Sequence, residues 1–412
     1  MAGFHGRASL GPSALQMATP VGFGRGVYFY AHVHQALNVG RKRAPEKKGS
    51  TMSKNINRRQ FVAGGATAAA ALALTACGGS GSDSASTGSA EKSSYKVAMI
   101  MSGIITDGGW DQAHYESLKR AVDSHPNWEM LEPKENVANA DAATAAETYV
   151  DQDVDLIVGN GNQFASTWAE VASDAAESHP NVHFLITNTN PEQELADYES
   201  TDNVETVLPD FTQLGALAGV IAGLMTKTKS IGFIGGMKLP STLAKYSAYL
   251  AAAQKIDSSI QGQYNFEAGF SDAAKGTQLT EQWINSKNVD VMWGDASAVD
   301  NGSRKALEAA GADTHFDIAQ PIDILGDDQP TVIASTVTDW KIDQAMDEIE
   351  AGTFGGGKAI TANMDNGGVT LGKFSDKVPS DVQDKINEYA DQIKAGTYLS
   401  DSEIEAIQST LN

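Results

Sequence analysis

Cysteine is nearly absent from this chain. Cys77 is the only one in 412 residues, so no intrachain disulfide can form. No stretch holds the roughly 20 consecutive apolar residues needed to span a bilayer. Basic residues are scarce, 30 Lys and Arg against 52 Asp and Glu. A surface so acidic repels nucleic acid and anionic lipid head groups, which excludes both as partners. The main catalytic signatures are also missing: there is no Walker A loop, no H-E-x-x-H and no G-x-S-x-G. After the amino-terminal segment the histidines are His114, His125, His179, His183 and His315, and none has metal-ligand spacing. His179 and His183 are separated by Pro180. Neither a metal nor a cofactor is expected.

What is present begins with Asn57-Arg58-Arg59-Gln60-Phe61-Val62, followed by the small apolar residues 63–75 and Ala76-Cys77-Gly78-Gly79. A basic patch, a short apolar segment and a small-residue end form the pattern of an export signal. Leu74-Thr75-Ala76-Cys77 resembles a bacterial lipobox, and Arg58-Arg59 with Phe61 resembles a twin-arginine signal. In that reading Cys77 is lipidated and opens the mature chain, on the extracytoplasmic face of the cell membrane. Residues 1–51 precede a second methionine, Met52, and read as a non-native or disordered extension, with a cytoplasmic tail as the alternative. Residues 52–76 are the signal and 77–94, rich in Gly and Ser, a flexible tether. From Cys77 onward 20 basic residues face 51 acidic ones, a net charge of −31.

Beyond the tether, short apolar runs alternate with helical patterns. Residues 97–102, 154–159, 182–187, 230–235, 289–294 and 322–326 read as buried strands, each ending in Gly, Asn, Asp, Ser or Thr. Helical periodicity covers 112–123, 142–151, 167–177, 212–226, 242–256, 277–285, 302–310, 340–351 and 381–395. Strands apolar on both faces and separated by helices indicate parallel sheets flanked by helices. About 320 residues exceed one ordinary core. The expected α/β architecture therefore has two lobes joined by a hinge, 95–208 plus 338–360 and 209–337 plus 361–412, with chain crossings near 208–211, 335–339 and 360–365.

In open parallel sheets ligands bind beyond the carboxyl ends of the strands. The loop after the first strand holds Asp107-Gly108-Gly109-Trp110-Asp111. It offers close backbone approach, a flat aromatic face and carboxylate acceptors, suited to a flat heterocycle joined to a polyol. Gly159-Asn160-Gly161-Asn162-Gln163-Phe164 starts like a dinucleotide fingerprint but has Phe164 where the third glycine belongs. Asn162 and Phe164 of that turn are candidate ligand contacts. Asp151-x-Asp153-x-Asp155 lacks the Gly and Glu of a calcium loop. Asn188, Asp295, Asp327 and Asp328 complete the candidates, because carboxylates and amides at strand ends can hold a sugar diol.

At these residues the chain resembles the basic membrane protein family, the PnrA-like branch of substrate-binding lipoproteins, over nearly all of 95–374. The segment Thr226-Lys227-Thr228-Lys229-Ser230-Ile231-Gly232-Phe233-Ile234-Gly235-Gly236-Met237 is similar to the family's T-K-T-x-x-I-G-F-I-G-G-M. Asp107–Gln112 is similar to its D-x-S-F-N-Q loop, Gly326–Gln329 to its D-S-D-Q segment, and Gly367–Gly372 to a strand near its end. The resemblance implies a type I periplasmic-binding-protein fold and delivery of ligand, a purine nucleoside in characterised members, to an ATP-driven importer. It implies that Trp110 stands for a base-stacking Phe, Asp111 for an Asn, Asn188 for an Asp, and Asp327 or Asp328 for a ribose-binding Asp. Thr338 falls where the family has Lys, Lys245 where it has an aromatic, and Ala296-Ser297 where it has Gly-Gly.

The expected function is that of a monomeric, lipid-anchored receptor, without enzymatic chemistry, that captures a nucleoside between two lobes for an ABC permease and its ATPase. The alternatives are a sugar or other polar ligand, and an exported nucleoside hydrolase.

Overall fold

The computed structural model describes residues 92–326 and 328–411. The export signal, Cys77 and the tether up to residue 91 lie outside them, as does Asp327. The chain runs β1 (Tyr95–Ile100), α1 (Trp110–Ser124), β2 (Trp128–Met130), α2 (Ala142–Val150), β3 (Leu156–Gly159), α3 (Ala165–Ser178), β4 (His183–Thr187), α4 (Pro191–Glu194) and β5 (Val204–Pro209). It continues through α5 (Phe211–Met225), β6 (Ser230–Gly235), α6 (Pro240–Ile256), β7 (Gln261–Asn265), α7 (Ala273–Lys287), β8 (Val291–Asp295), α8 (Ala298–Gly311), β9 (Phe316–Ala319) and β10 (Val332–Thr338). It ends with α9 (Ile342–Glu350), β11 (Ala359–Ala362), β12 (Val369–Leu371), α10 (Ser380–Lys394) and α11 (Asp401–Gln408).

Two six-stranded sheets result, ordered β11-β5-β4-β3-β1-β2 and β12-β10-β9-β8-β6-β7. Every pairing is parallel except that of β10 with β12. The expected pair of parallel, helix-flanked sheets is present. The chain passes between sheets after β5, after β10 and after β11. These passages are tied to one another: Asp210 N–H donates to Ala362 O at 2.8 Å and Asp339 N–H to Gly368 O at 2.9 Å. Asp210 also caps α5, its carboxylate accepting the N–H of Thr212 and Gln213 at 3.0 Å each.

The anticipated strand at 322–326 does not form. The strand lies earlier, at Phe316–Ala319, and Pro321 stops it because its nitrogen has no proton for the ladder. Asp317 hides this strand from an apolar pattern, since its buried carboxylate is matched by the Arg304 guanidinium at 2.8 Å. The apolar pattern likewise does not show β2, β5, β7, β10 or β11, whereas β12 falls within 367–372, the segment similar to a strand of the family. β7, Gln-Gly-Gln-Tyr-Asn, is a polar edge, and β5 carries the buried Glu205.

The second lobe is built around α5, which is apolar on nearly all sides and lies between the sheet, α6 and α10. It meets α6 closely through glycines one turn apart. A methyl group on Gly215 would lie 2.2 Å from Lys245 O, and one on Gly219 would lie 2.2 Å from Tyr249 O. Both obstacles are backbone, so neither can rotate away. Gly219→Ala gains at most about 1 kcal/mol of helix propensity. Forcing the helices apart costs about 1–3 kcal/mol and wins. Chemical denaturation is therefore expected to show a lower midpoint for Gly219→Ala, and an equal or higher midpoint would show that the helices are not in this contact.

Candidate functional site

Parallel strands deliver their following loops to one edge of each sheet, and the candidates gather there. In the first lobe the β1–α1 loop is held by its own acids. The Asp107 carboxylate accepts the N–H of Gly109 at 2.8 Å, of Gln112 at 3.0 Å and of Asp111 at 3.1 Å. Asp111 Oδ1 accepts Gly103 N–H at 2.9 Å and the Asn160 side-chain amide at 2.6 Å. These bonds fix the loop before any ligand arrives.

Trp110 is set by three neighbours. Its indole N–H donates to Asn160 O at 2.8 Å, His114 lies 4.6 Å away ring to ring, and Trp340 meets it edge-on at 4.9 Å. His114 stacks on Trp340 at 3.9 Å and is fully buried. Its Nδ1 faces Trp110 O at 2.8 Å and its Nε2 faces the Thr187 hydroxyl at 2.7 Å. A backbone oxygen can only accept, so the neutral tautomer carries its proton on Nδ1 and Nε2 accepts from Thr187. Asn188 follows β4 in a left-handed conformation with φ 55°. Asn162 is exposed and donates to Glu194 at 2.7 Å. Phe164 has no exposed surface and packs 5.1 Å from Trp168 in the lobe's core.

In the second lobe Asp295 ends β8. Its Oδ1 accepts from Lys245 Nζ at 2.7 Å and its Oδ2 from the Thr242 hydroxyl at 3.2 Å. Next, Ser297 holds φ 51° and ψ −112°, outside the regions favoured for a side-chain-bearing residue. Asp300 anchors this turn by accepting Ala296 N–H at 2.8 Å. Asp328 is exposed on the loop beyond β9. Thr338 is buried, its N–H donating to Pro321 O at 2.9 Å.

The two edges meet. A methyl group on Gly109 of the first lobe would lie 3.4 Å from Ser297 Oγ of the second. Beside this contact stands Phe270, which sequence reasoning missed. It is 44% exposed, its carbonyl accepts Ala298 N–H at 3.0 Å, and its ring covers Gly236, where an added methyl would sit 2.2 Å from Phe270 Cε1. Ile104 is exposed on the β1–α1 loop, and Met237 and Leu239 are exposed between β6 and α6. The available signal was an aromatic between Gly269 and Ser271, just after a strand too polar to be noticed. Among the described residues no cluster of three His, Cys, Asp or Glu could hold a metal, and no helix is long and apolar enough to cross a membrane.

Burial shifts several protonation equilibria. It raises the Asp111 carboxyl to about 6 and those of Asp300 and Glu205 to about 7, and it lowers His114 to about 3. Each raised carboxyl binds a proton more readily folded than unfolded, so its contribution is fully present in acid and is lost as pH rises through about 6 to 7. His114 acts oppositely, losing stability as pH falls from 6.5 toward 3. Burial also raises the Asp317 carboxyl and lowers the His183 imidazole, so between pH 8 and 5 four carboxyls outweigh two imidazoles, and protonation also relieves the acidic self-repulsion. The melting temperature is expected to rise from pH 8 to pH 5.5; a flat or falling profile would contradict these environments.

Comparison with known proteins agrees with this geometry. The family described as "ABC transporter substrate-binding protein PnrA-like" matches residues 94–408. A CD4+ T-cell-stimulating antigen of Listeria innocua is 27% identical over 80% of this chain and 94% of its own length. An ABC transporter nucleoside-binding protein of Lactococcus lactis is 28% identical over 57% of this chain and 67% of its own. The solved ABC transporter solute-binding protein of Conexibacter woesei superposes with a TM-score of 0.60 at 20% identity, covering 74% of this chain and 100% of that one. The chain belongs to the PnrA-like family of ABC transporter substrate-binding proteins and has the type I periplasmic-binding fold.

Proposed function

We propose that the edge-to-edge cleft takes a purine nucleoside and that the chain carries it, outside the cytoplasm and tethered by a lipid on Cys77, to an ABC permease. The observation that carries this reading is a pair of aromatics at the facing edges, Trp110 beside Gly109 in the first lobe and Phe270 on the β7–α7 loop of the second, bonded through its carbonyl to Ala298 next to Ser297. Two such rings suit a flat heterocycle, which gains from stacking on either face. The nucleoside-binding name of the Lactococcus lactis relative supports the same class.

The roles then divide. Trp110 and Phe270 stack on the base. Asp327 and Asp328 hold the ribose diol, and Asn162, Asn188 and Asp295 offer further polar contacts. Asp107 and Asp111, whose carboxylates already serve the loop, position Trp110, and Phe164 supports the β3 turn from inside the core. Closure of the lobes removes water and strengthens each of these interactions. Binding alone is required, and no bond is made or broken.

Calorimetry on the full chain in detergent, with inosine, guanosine, adenosine, uridine and glucose, tests the reading. Heat is expected from the purine nucleosides; response to glucose alone would overturn it. Trp110→Ala and Phe270→Ala are each expected to weaken binding by ~1–3 kcal/mol. Unchanged dissociation constants would remove them as stacking walls. Cys77→Ser is expected to move the protein from the membrane fraction to the soluble one, because one thioether-linked lipid group is the proposed anchor. Retention in membranes would contradict that anchor.

A further inference from the structure

Lys245 is an unusual presence at this edge. It is 6% exposed, and its ammonium has one hydrogen-bond acceptor among the described residues, Asp295 Oδ1 at 2.7 Å. The Phe211 ring lies 5.6 Å from it and takes up part of its charge, but no further hydrogen. An ammonium has three donors, so two of them lack an acceptor. Burying such donors unpaired is unfavourable. Asp295 is complementary. Each carboxylate oxygen has two lone pairs, and each accepts one bond here, from Lys245 and Thr242. Its side chain is 22% exposed at the strand end. A donor and an acceptor with free capacity thus stand side by side.

Their place relative to the aromatic wall decides what they meet. Gly236 N–H donates to Asp295 O at 3.0 Å, and the Phe270 ring lies on Gly236. Asp295 and the Phe270 ring therefore flank the same residue, Gly236. The exposed carboxylate Asp328 belongs to the loop beyond β9, on the other side of β8.

We propose that Lys245 and Asp295 together read the edge of the base, Lys245 donating to an acceptor and Asp295 accepting from a neighbouring donor. This rests on the nucleoside reading above and narrows it. Inosine offers O6 beside N1–H, and adenosine offers N1 beside the 6-amino group. Purine riboside, with only C–H at position 6, keeps an acceptor but has no donor for Asp295. The site takes purines with an oxo or amino group at position 6 and disfavours the unsubstituted ring.

Titration calorimetry with inosine, adenosine, 1-deazaadenosine and purine riboside on the full chain in detergent tests this, beside Lys245→Met and Asp295→Asn. In the wild type, the better of inosine and adenosine is expected to bind about tenfold or more tighter than purine riboside, the effect of one buried polar group left unpaired. In Asp295→Asn the ratio is expected to fall to near one. In Lys245→Met that ratio persists, and what is lost is the preference for adenosine over 1-deazaadenosine, which keeps the 6-amino donor but lacks the N1 acceptor. A merely structural role would weaken all the ligands together and leave both preferences intact in both variants, which would overturn the assignment. A wild-type ratio near one would overturn it without any variant, so a variant that fails to fold does not shelter it. If no nucleoside binds the wild type, the nucleoside reading itself falls, and this narrowing with it.

Discussion

The direction of the strands is the constraint on which the rest depends. Parallel neighbours require the chain to return through a helix, so each strand's exit lies at the same edge as its neighbour's. With ten of the twelve strands in parallel pairs only, each lobe presents one row of turns. Two such rows, linked by passages that hydrogen-bond to one another, come so close at Gly109 and Ser297 that one added methyl group would close the gap. Nothing in this arrangement requires a catalytic group. It gathers short, rigid turns at the facing edges of the two sheets.

Packing and recognition are coupled through α6. The close approach of α5 at Gly215 is to the carbonyl of Lys245 itself, so helix contact sets the depth of that residue. The first lobe achieves the same rigidity with polar atoms, Asp107 and Asp111 binding the loop's own N–H groups and Asn160. One lobe therefore offers a surface whose hydrogen bonds are already made, and the other offers a buried ion pair with capacity remaining. Stacking on the first and edge recognition on the second is the division of labour proposed here.

Much of this was legible in the sequence. The apolar runs at β1, β3, β4, β6 and β8 and the glycines and aspartates behind them pointed to parallel sheets and to the loops in question. What failed to show was polar strand chemistry. Asp317 and Glu205 sit inside strands because Arg304 and Lys358 neutralise them from distant positions, which no local pattern reveals. The polar edge strand β7 hid its own exit, and Phe270 with it. Likewise the carboxylates of Asp107 and Asp111 look free in a sequence, and only the turn geometry shows their hydrogen bonds directed inward.

A structure determined with inosine present would test the central claim most directly. The account predicts a flat ring between Trp110 and Phe270 with its edge at Lys245 and Asp295. Ligand density away from the two facing loops, or an empty cleft at saturating inosine, would contradict it.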